Sequence, residues 1–366
     1  MRFGRQRGLR RTEGVIPIVS QEERLGIAAM PPTPAVHRKL YARMPFAAAV
    51  ELGNPAAAEG APAATARVLA WNAARCVDVA ASARFIQASG AEVVLLTEMD
   101  WGMARSGQLH TARELARRLA MGHAYSVEFL ELGLGDEREK AAHAGESNAV
   151  GYHGAAILCR RPLTRARRIP LEGRGGWFDE ARGQRRVGGR MALCAVTLFG
   201  STEVVLCSVH LESESDPAER LREIELLLQE IDARYPDRPV VIGGDLNTFS
   251  VPRAELDDAA SVRVREGEDA ERFAHPVRHE PLFAYAEARG YEWRQSNVPG
   301  VPTHRQVEPG AAHPPMKLDW FLTRGVAVGG PRVLPAPAHG PQGALSDHDA
   351  ILVTITAGGE PPREMS

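Results

Sequence analysis

No stretch of this sequence approaches the roughly 18 to 20 apolar residues that crossing a bilayer requires, and no long hydrophobic core follows the arginines at its start. The expectation is a protein without a transmembrane segment, placed in the cytoplasm, with another export route left open. Cysteine is scarce: Cys76, Cys159, Cys194 and Cys207 include no C-x-x-C pair. The last three fall in or beside predicted strands, where a reduced thiol packs as a small hydrophobe. Charge of one sign is also lacking, since 44 Lys and Arg against 46 Asp and Glu give a formal net charge of −2. That excludes a global basic field of the kind many nucleic-acid binders carry, although a local stripe would be hidden in the sum.

What is present is length and apolar content. A chain of 366 residues, 44% apolar, can bury one large core or two ordinary ones. One catalytic domain over residues 65–357 fits best, preceded by an extension (1–64) and followed by a disordered tail (358–366). The extension carries Arg2, Arg5, Arg7, Arg10 and Arg11, then Pro31-Pro32-Thr33-Pro34, then an Ala/Pro/Gly stretch from Asn54 to Ala64. It reads as partly disordered linker, with Val36 to Val50 forming a helix or docking on the domain. Its basic start reads as a solvated tail or an early start codon, with nucleic-acid contact as the alternative.

The runs Val93-Val94-Leu95-Leu96, Val204-Val205-Leu206, Val240-Val241-Ile242 and Leu318 to Leu322 are short, bounded and β-rich, which suits strands buried on both faces. Each delivers a polar residue at or near its end. Asn72 closes A-W-N, Glu98 closes L-L-T-E, His210 stands in S-V-H-L-E, and Asp245 and Asn247 in G-G-D-L-N. Asp319 follows in K-L-D-W-F, and Asp347-His348 in L-S-D-H-D. Buried charge costs several kcal/mol unless paired or metal-bound, so a fold that gathers this many must neutralise them together. Oxygen donors without a nearby thiolate favour Mg²⁺ or Mn²⁺ over zinc.

Helices are expected over Val79–Ala88, Leu109–Met121 and Ala218–Arg234, and a β-hairpin over Met191–Leu198 and Glu203–Leu211. Gly244 lets the backbone turn so that Asp245 and Asn247, one residue apart, project to the same side of an extended segment. Asp319 is the expected partner of His348, since a carboxylate on an imidazole fixes its tautomer and raises its basicity.

With five motifs in order (W-N, T-E, V-H-L, G-D-L-N, S-D-H), residues 66 to 356 resemble the endonuclease/exonuclease/phosphatase (deoxyribonuclease I-like) superfamily. The resemblance implies an α/β four-layer sandwich of two packed mixed β-sheets flanked by helices. It also implies a Mg²⁺-dependent phosphoesterase, with Mn²⁺ as substitute, that hydrolyses a phosphodiester by in-line attack of water. The catalytic set would be His210, Asp245, Asn247, Asp319 and His348, and the metal set Asn72, Glu98 and Asp347. The base role stays open between Asp245 and the Asp319–His348 pair. Nuclease-type activity is the first reading; action on phospholipids or small phosphoesters, and a catalytically inactive binding module, are the alternatives.

Three residues are weaker expectations for substrate contact. Arg190 stands where some nucleases of the family keep a phosphate-binding arginine. Tyr152, with its neighbour His153, and His304 read equally as packing or turn residues. Ala155 departs from the family pattern at a position often held by an amide. Between Arg165 and Arg190 lie eight arginines, three acids, six glycines and Trp177-Phe178. That stretch reads either as a nucleic-acid-binding loop or as a solvated one. Oligomeric state is not legible.

Overall fold

In the computed structural model, residues 12–55, 62–171, 176–179, 183–305, 313–339 and 343–358 are described. Fourteen strands are formed: β1 (Thr12–Glu13), β2 (Ala49–Gly53), β3 (Thr65–Arg75), β4 (Val93–Trp101), β5 (Gly122–Glu131), β6 (Tyr152–Cys159), β7 (Thr164–Pro170), β8 (Arg186–Gly188), β9 (Met191–Phe199), β10 (Thr202–His210), β11 (Val240–Asp245), β12 (Asp319–Arg324), β13 (Ala327–Leu334) and β14 (Ala350–Thr356). They build a nine-stranded sheet in the order β1-β2-β5-β6-β4-β3-β14-β13, with β8 also on β5, and a five-stranded sheet in the order β12-β11-β10-β9-β7. Both sheets mix parallel and antiparallel pairs.

Alternation along the strands assigns the layers. Val68, Ala70, Val93 and Leu95 of the first sheet meet Leu193, Leu206, Val241 and Phe321 of the second in one inter-sheet core. Their neighbours Leu69, Trp71, Val94 and Leu96 point the other way, onto the helices Val79–Ser89 (α3) and Thr111–Leu119 (α4) through Ile86 and Leu115. On the far side Val205, Cys207 and Val209 pack against Ile224, Leu227, Leu228 and Ile231 of the helix Pro217–Arg234. Strands that are apolar on both faces are what two stacked, helix-covered sheets require, and the expected four-layer sandwich is the fold.

Gly243 stands where β11 packs against β3 and β4 of the other sheet. A Cβ there would lie 2.8 Å from Phe321 and 2.9 Å from Ala70 and Leu95, so no other residue fits. Gly244 adopts φ 149° with its missing Cβ pointing 2.0 Å from the carbonyl of Val209, which is how the chain turns out of β11 into the site.

The segment before residue 65 packs more closely than a linker would. Strand β2 pairs antiparallel with β5, and Ile16, Val19, Ile27 and Phe46 enter the outer core of the first sheet. Pro34, read as linker, is the first residue of the helix Pro34–Tyr41, capped by the Thr33 side chain. Proline is favoured there because its missing N–H would have had no helical partner. The arginine-rich stretch is likewise ordered at both ends, by β7 and β8; residues 172–175 and 180–182 lie outside the described set. No helix among the described residues is long and apolar enough to cross a membrane.

Candidate active site

The paired strands bring the motif residues together by register. Along β10, β11 and β12 the Cα partners are His210 with Asp245 and Asp245 with Asp319, so three sequence-distant residues stand at one level of the second sheet. The first sheet supplies Asn72 and Glu98. The parallel pairing of β3 with β4 runs to Asn72 opposite Thr97 and then shifts, and β4 breaks register with β6 between Leu96 and Met99. Glu98 sits in that irregularity at φ 56°. Left-handed backbone costs a glutamate roughly 1 kcal/mol or more, and a bulge re-aims the side chain that carries it.

One amide links the sheets. Asn72 Nδ2 donates to Glu98 Oε1 (3.2 Å) and to Asp245 Oδ2 (3.1 Å), and Arg75 Nη1 donates to Glu98 Oε2 (3.1 Å). His348 is a second link. Its carbonyl accepts from Trp71 Nε1 (2.9 Å) and its N–H donates to Ser346 Oγ, which itself donates to the Asn72 carbonyl. From that position Nδ1 of His348 lies 2.8 Å from Asp319 Oδ2, the pair expected from sequence, and Nε2 lies 3.6 Å from Asp245 Oδ2.

Two expectations are corrected. Asn247 does not extend the strand beside Asp245: it turns at φ 48°, its N–H donates to Asp245 Oδ1 (2.9 Å), and its Nδ2 donates to the Leu211 carbonyl (2.8 Å). It is an Asx-type turn, which still leaves the residue lining the cleft. Tyr152 stands apart from the site. It is fully buried within β6, donating to the Pro17 carbonyl (2.6 Å) and accepting from Val19 N–H (3.1 Å).

The cleft encloses about 190 Å³ and is lined by Asn72, Glu98, His210, Asp245, Asn247, His304 and His348. Asp319 stands behind His348, fully buried. Asp347 keeps 44% of its side chain exposed, with Oδ2 3.8 Å from His304 Nε2. Asn72 and Glu98 thus adjoin Asp245, while Asp347 adjoins His304. Arg190 lines the cleft, but its Nη1 is 3.0 Å from His210 Nδ1 and 3.4 Å from Glu128, rather than standing free.

A cleft residue that sequence reasoning missed is Arg75; Trp177 and Arg186 were read only as part of the arginine-rich stretch, and His153 only beside Tyr152. His153 Nδ1 meets Asp100 (2.9 Å), Arg186 pairs with Glu131 (2.8 Å), and Trp177 Nε1 donates to Glu212. Arg75, at the end of the W-N strand, had a signal in its position. The partners of the others lie on remote strands. Arg165, Arg168, Arg185, Arg186 and Arg190 all bind groups of the protein itself: Glu203, Tyr41, the Ala28 carbonyl, Glu131 and His210 respectively.

The field of the site separates its ionisable groups. Burial alone would raise Glu98, but Arg75, His153, His210 and the Asn72 amide outweigh it and hold this carboxylate well below its ordinary range. Burial raises Asp245, and the nearby Asp319 adds to the rise. Burial depresses His348, yet Asp319 and Asp245 overcome it and push the imidazole well above its ordinary value. His210 is driven well down by burial and by Arg190.

A cation fits this set. Asp319 Oδ1 is buried without a hydrogen-bond partner. Donor atoms of Asp245, Asp319 and His348 fall within 4.8 Å of one another, as do those of His304, Asp347 and His348. Carboxylate oxygens of Glu98 and Asp245 suit a hard divalent ion, while Asn72 turns its Nδ2 to both of them and its oxygen accepts from the Ala74 N–H.

Residues 69–348 match the model of the Endonuclease/Exonuclease/phosphatase family, and the chain belongs to that family. Its members hydrolyse phosphoester bonds, and this protein is a phosphoesterase of that superfamily. An endonuclease/exonuclease/phosphatase from Beutenbergia cavernae superposes with a TM-score of 0.52 at 20% identity, over 81% of this chain and 73% of that one. The human Nocturnin catalytic domain, solved with a bound sulfate anion, superposes with a TM-score of 0.52 at 15% identity, over 80% and 93%. At such identities the likeness is one of fold. A search of curated protein sequences gives no match.

Proposed function

We propose that the protein hydrolyses a phosphodiester by in-line attack of water, using Mg²⁺, with Mn²⁺ as substitute. The observation that carries this reading is the single level at which His210, Asp245 and Asp319 stand, closed from the other sheet by His348. Glu98 and Asp245 would hold the ion, positioned by the Asn72 amide between them, with Asp347 nearer to His304. A bound divalent cation would supply charge neutralisation at the phosphate and the leaving oxygen.

The remaining work falls to the side chains. Asp245, raised toward neutrality by burial, is suited to orient a water and accept its proton. His348, kept protonated by Asp319, is suited to donate to a phosphoryl oxygen rather than to act as base. His210 and the Asn247 turn complete the cradle for the pentacovalent phosphate.

Nuclease-type activity remains the first reading of the substrate. One observation favours the second, a compact phosphoester: among the described arginines of the stretch, Arg165, Arg168, Arg185, Arg186 and Arg190 are occupied within the protein, and the cleft encloses about 190 Å³. Human Nocturnin, whose catalytic domain carries a tetrahedral anion, is a relative in fold only. The deciding experiment offers the purified protein bis(p-nitrophenyl) phosphate, plasmid DNA, abasic duplex, RNA and sphingomyelin, with Mg²⁺, with Mn²⁺ and with EDTA. Metal-dependent release from at least one, abolished by Asp245→Asn, is expected; no turnover of any would overturn the reading.

A further inference from the structure

Three ligating side chains meet at the rim of the cleft, held there by backbone pairing rather than by one another. The Thr303–Arg305 segment runs antiparallel beside Asp347–Asp349: Arg305 N–H donates to the Asp347 carbonyl (3.0 Å) and Asp349 N–H to that of Thr303 (2.7 Å). His304 therefore faces His348 across a bridge, and a second bridge, to Met316, fixes its other side. The two imidazole rings lie 4.9 Å apart at 68°. His304 Nε2 is 3.8 Å from Asp347 Oδ2, and its Nδ1 is buried with no hydrogen-bond partner. Asp347, 44% exposed, opens the group to solvent.

Two imidazoles and one carboxylate are the donor set of a borderline cation, whereas Glu98 offers only oxygen. We propose that His304, Asp347 and His348 form a second cation site, selective for ions of the Zn²⁺ class, whose occupation inhibits hydrolysis. The link to inhibition is His348. Its Nδ1 is committed to Asp319, so Nε2 is the one nitrogen left both for a phosphate and for a metal. An ion bound there displaces the Nε2 proton to solvent and so withdraws the donor that the proposed hydrolysis uses. The inhibitory half of the inference rests on that reading; the binding half stands without it.

Co²⁺ provides the test, because its visible d–d bands shift and intensify when imidazole and carboxylate replace water in a low-coordinate site. The full chain, stripped of metal, is titrated with CoCl₂ at about pH 8, where protons compete least for imidazole. Absorption that Zn²⁺ displaces is expected. His304→Gln and Asp347→Asn should each weaken Co²⁺ binding at least about tenfold, while Glu98→Gln leaves it unchanged. Any variant that has lost its circular dichroism is replaced by His304→Asn. On a turned-over substrate in Mg²⁺, Zn²⁺ should inhibit the parent at a concentration at least about tenfold lower than it inhibits His304→Gln. Undiminished Co²⁺ absorption in both His304→Gln and Asp347→Asn would overturn the site, as would its loss in Glu98→Gln alone. Intact binding with no effect of Zn²⁺ on turnover would overturn the inhibitory role. Absence of turnover with every substrate would instead count against the proposed hydrolysis, leaving the titration to judge the site.

Discussion

Nη1 of Arg190 lies 3.0 Å from Nδ1 of His210, with both side chains 3% exposed. A guanidinium can only donate, so Nδ1 must be the acceptor and the imidazole proton must sit on Nε2, which faces Asp245 Oδ2 at 3.4 Å. Arg190 thereby fixes His210 as a neutral donor. Arg190→Lys keeps the charge but loses the fork that reaches Nδ1. It should lower kcat by about tenfold to a hundredfold with little change in KM. A phosphate-gripping arginine would raise KM instead, and steady-state kinetics on a small diester separates the two.

Asp319→Asn tests the imidazolium. Removing that carboxylate removes the largest influence that raises His348, so the folded imidazole should lose its proton at lower pH. If the protonated ring is the working form, the alkaline limb of the pH–kcat profile moves toward acid. At about pH 8 turnover should drop by roughly 10² to 10⁴. An unmoved alkaline limb would assign that limb to another group.

Glu98 carries both strain and function. Glu98→Ala and Glu98→Gly should each lose at least about a hundredfold in turnover. Yet the glycine variant should unfold at higher urea than the alanine one, by about 1 kcal/mol, because φ 56° strains alanine and not glycine. Equal denaturation midpoints would show that the bulge relaxes once the carboxylate is gone.

Glu128 sets a pH dependence of stability. Burial pushes it up to about 7, with Glu98 and Glu212 adding, while Arg190 and Arg168 oppose. The Arg190 guanidinium, 3.4 Å away, does not prevail, being shared with His210. The folded state then holds a proton that the unfolded chain releases near its ordinary value of 4.5. Stability is therefore fullest below that value and declines as pH rises through about 7. Glu128→Gln should melt above the parent at about pH 8, by on the order of 1 to 3 kcal/mol, and match it at about pH 4. A constant gap between the two melting curves across that range would refute the assignment.

Much of this arrangement could be read from the chain, because alternating apolar runs mark strands and a polar residue closing such a run is out of place unless it works. Asn72, Glu98, His210, Asp245 and His348 were legible on that ground, and so was the Asp319–His348 pair. Asn247 was misread because its turn depends on a left-handed φ that leaves no trace in spacing. Tyr152 and Arg190 were only weakly legible for a different reason: their partners, Pro17 and Glu128, lie far away in sequence. The docking of the leading segment was hidden in the same way. Pro31 to Pro34 look like a spacer until Thr33 and Pro34 are seen opening a helix.

That leading segment has a role beyond packing. Strand β2 occupies the flank of β5 at His123, Ala124 and Tyr125, and β8 occupies it from Phe129 to Glu131. Among the described residues, only the two-residue β1 lies outside β2. A polypeptide begun at residue 62 would still contain every motif residue, yet it would offer a bare ribbon of main-chain donors and acceptors on which a neighbouring molecule could grow. Residues 49–53 thus cover part of an edge that would otherwise invite filament-like stacking, so trimming the protein to its motifs should lower solubility before chemistry.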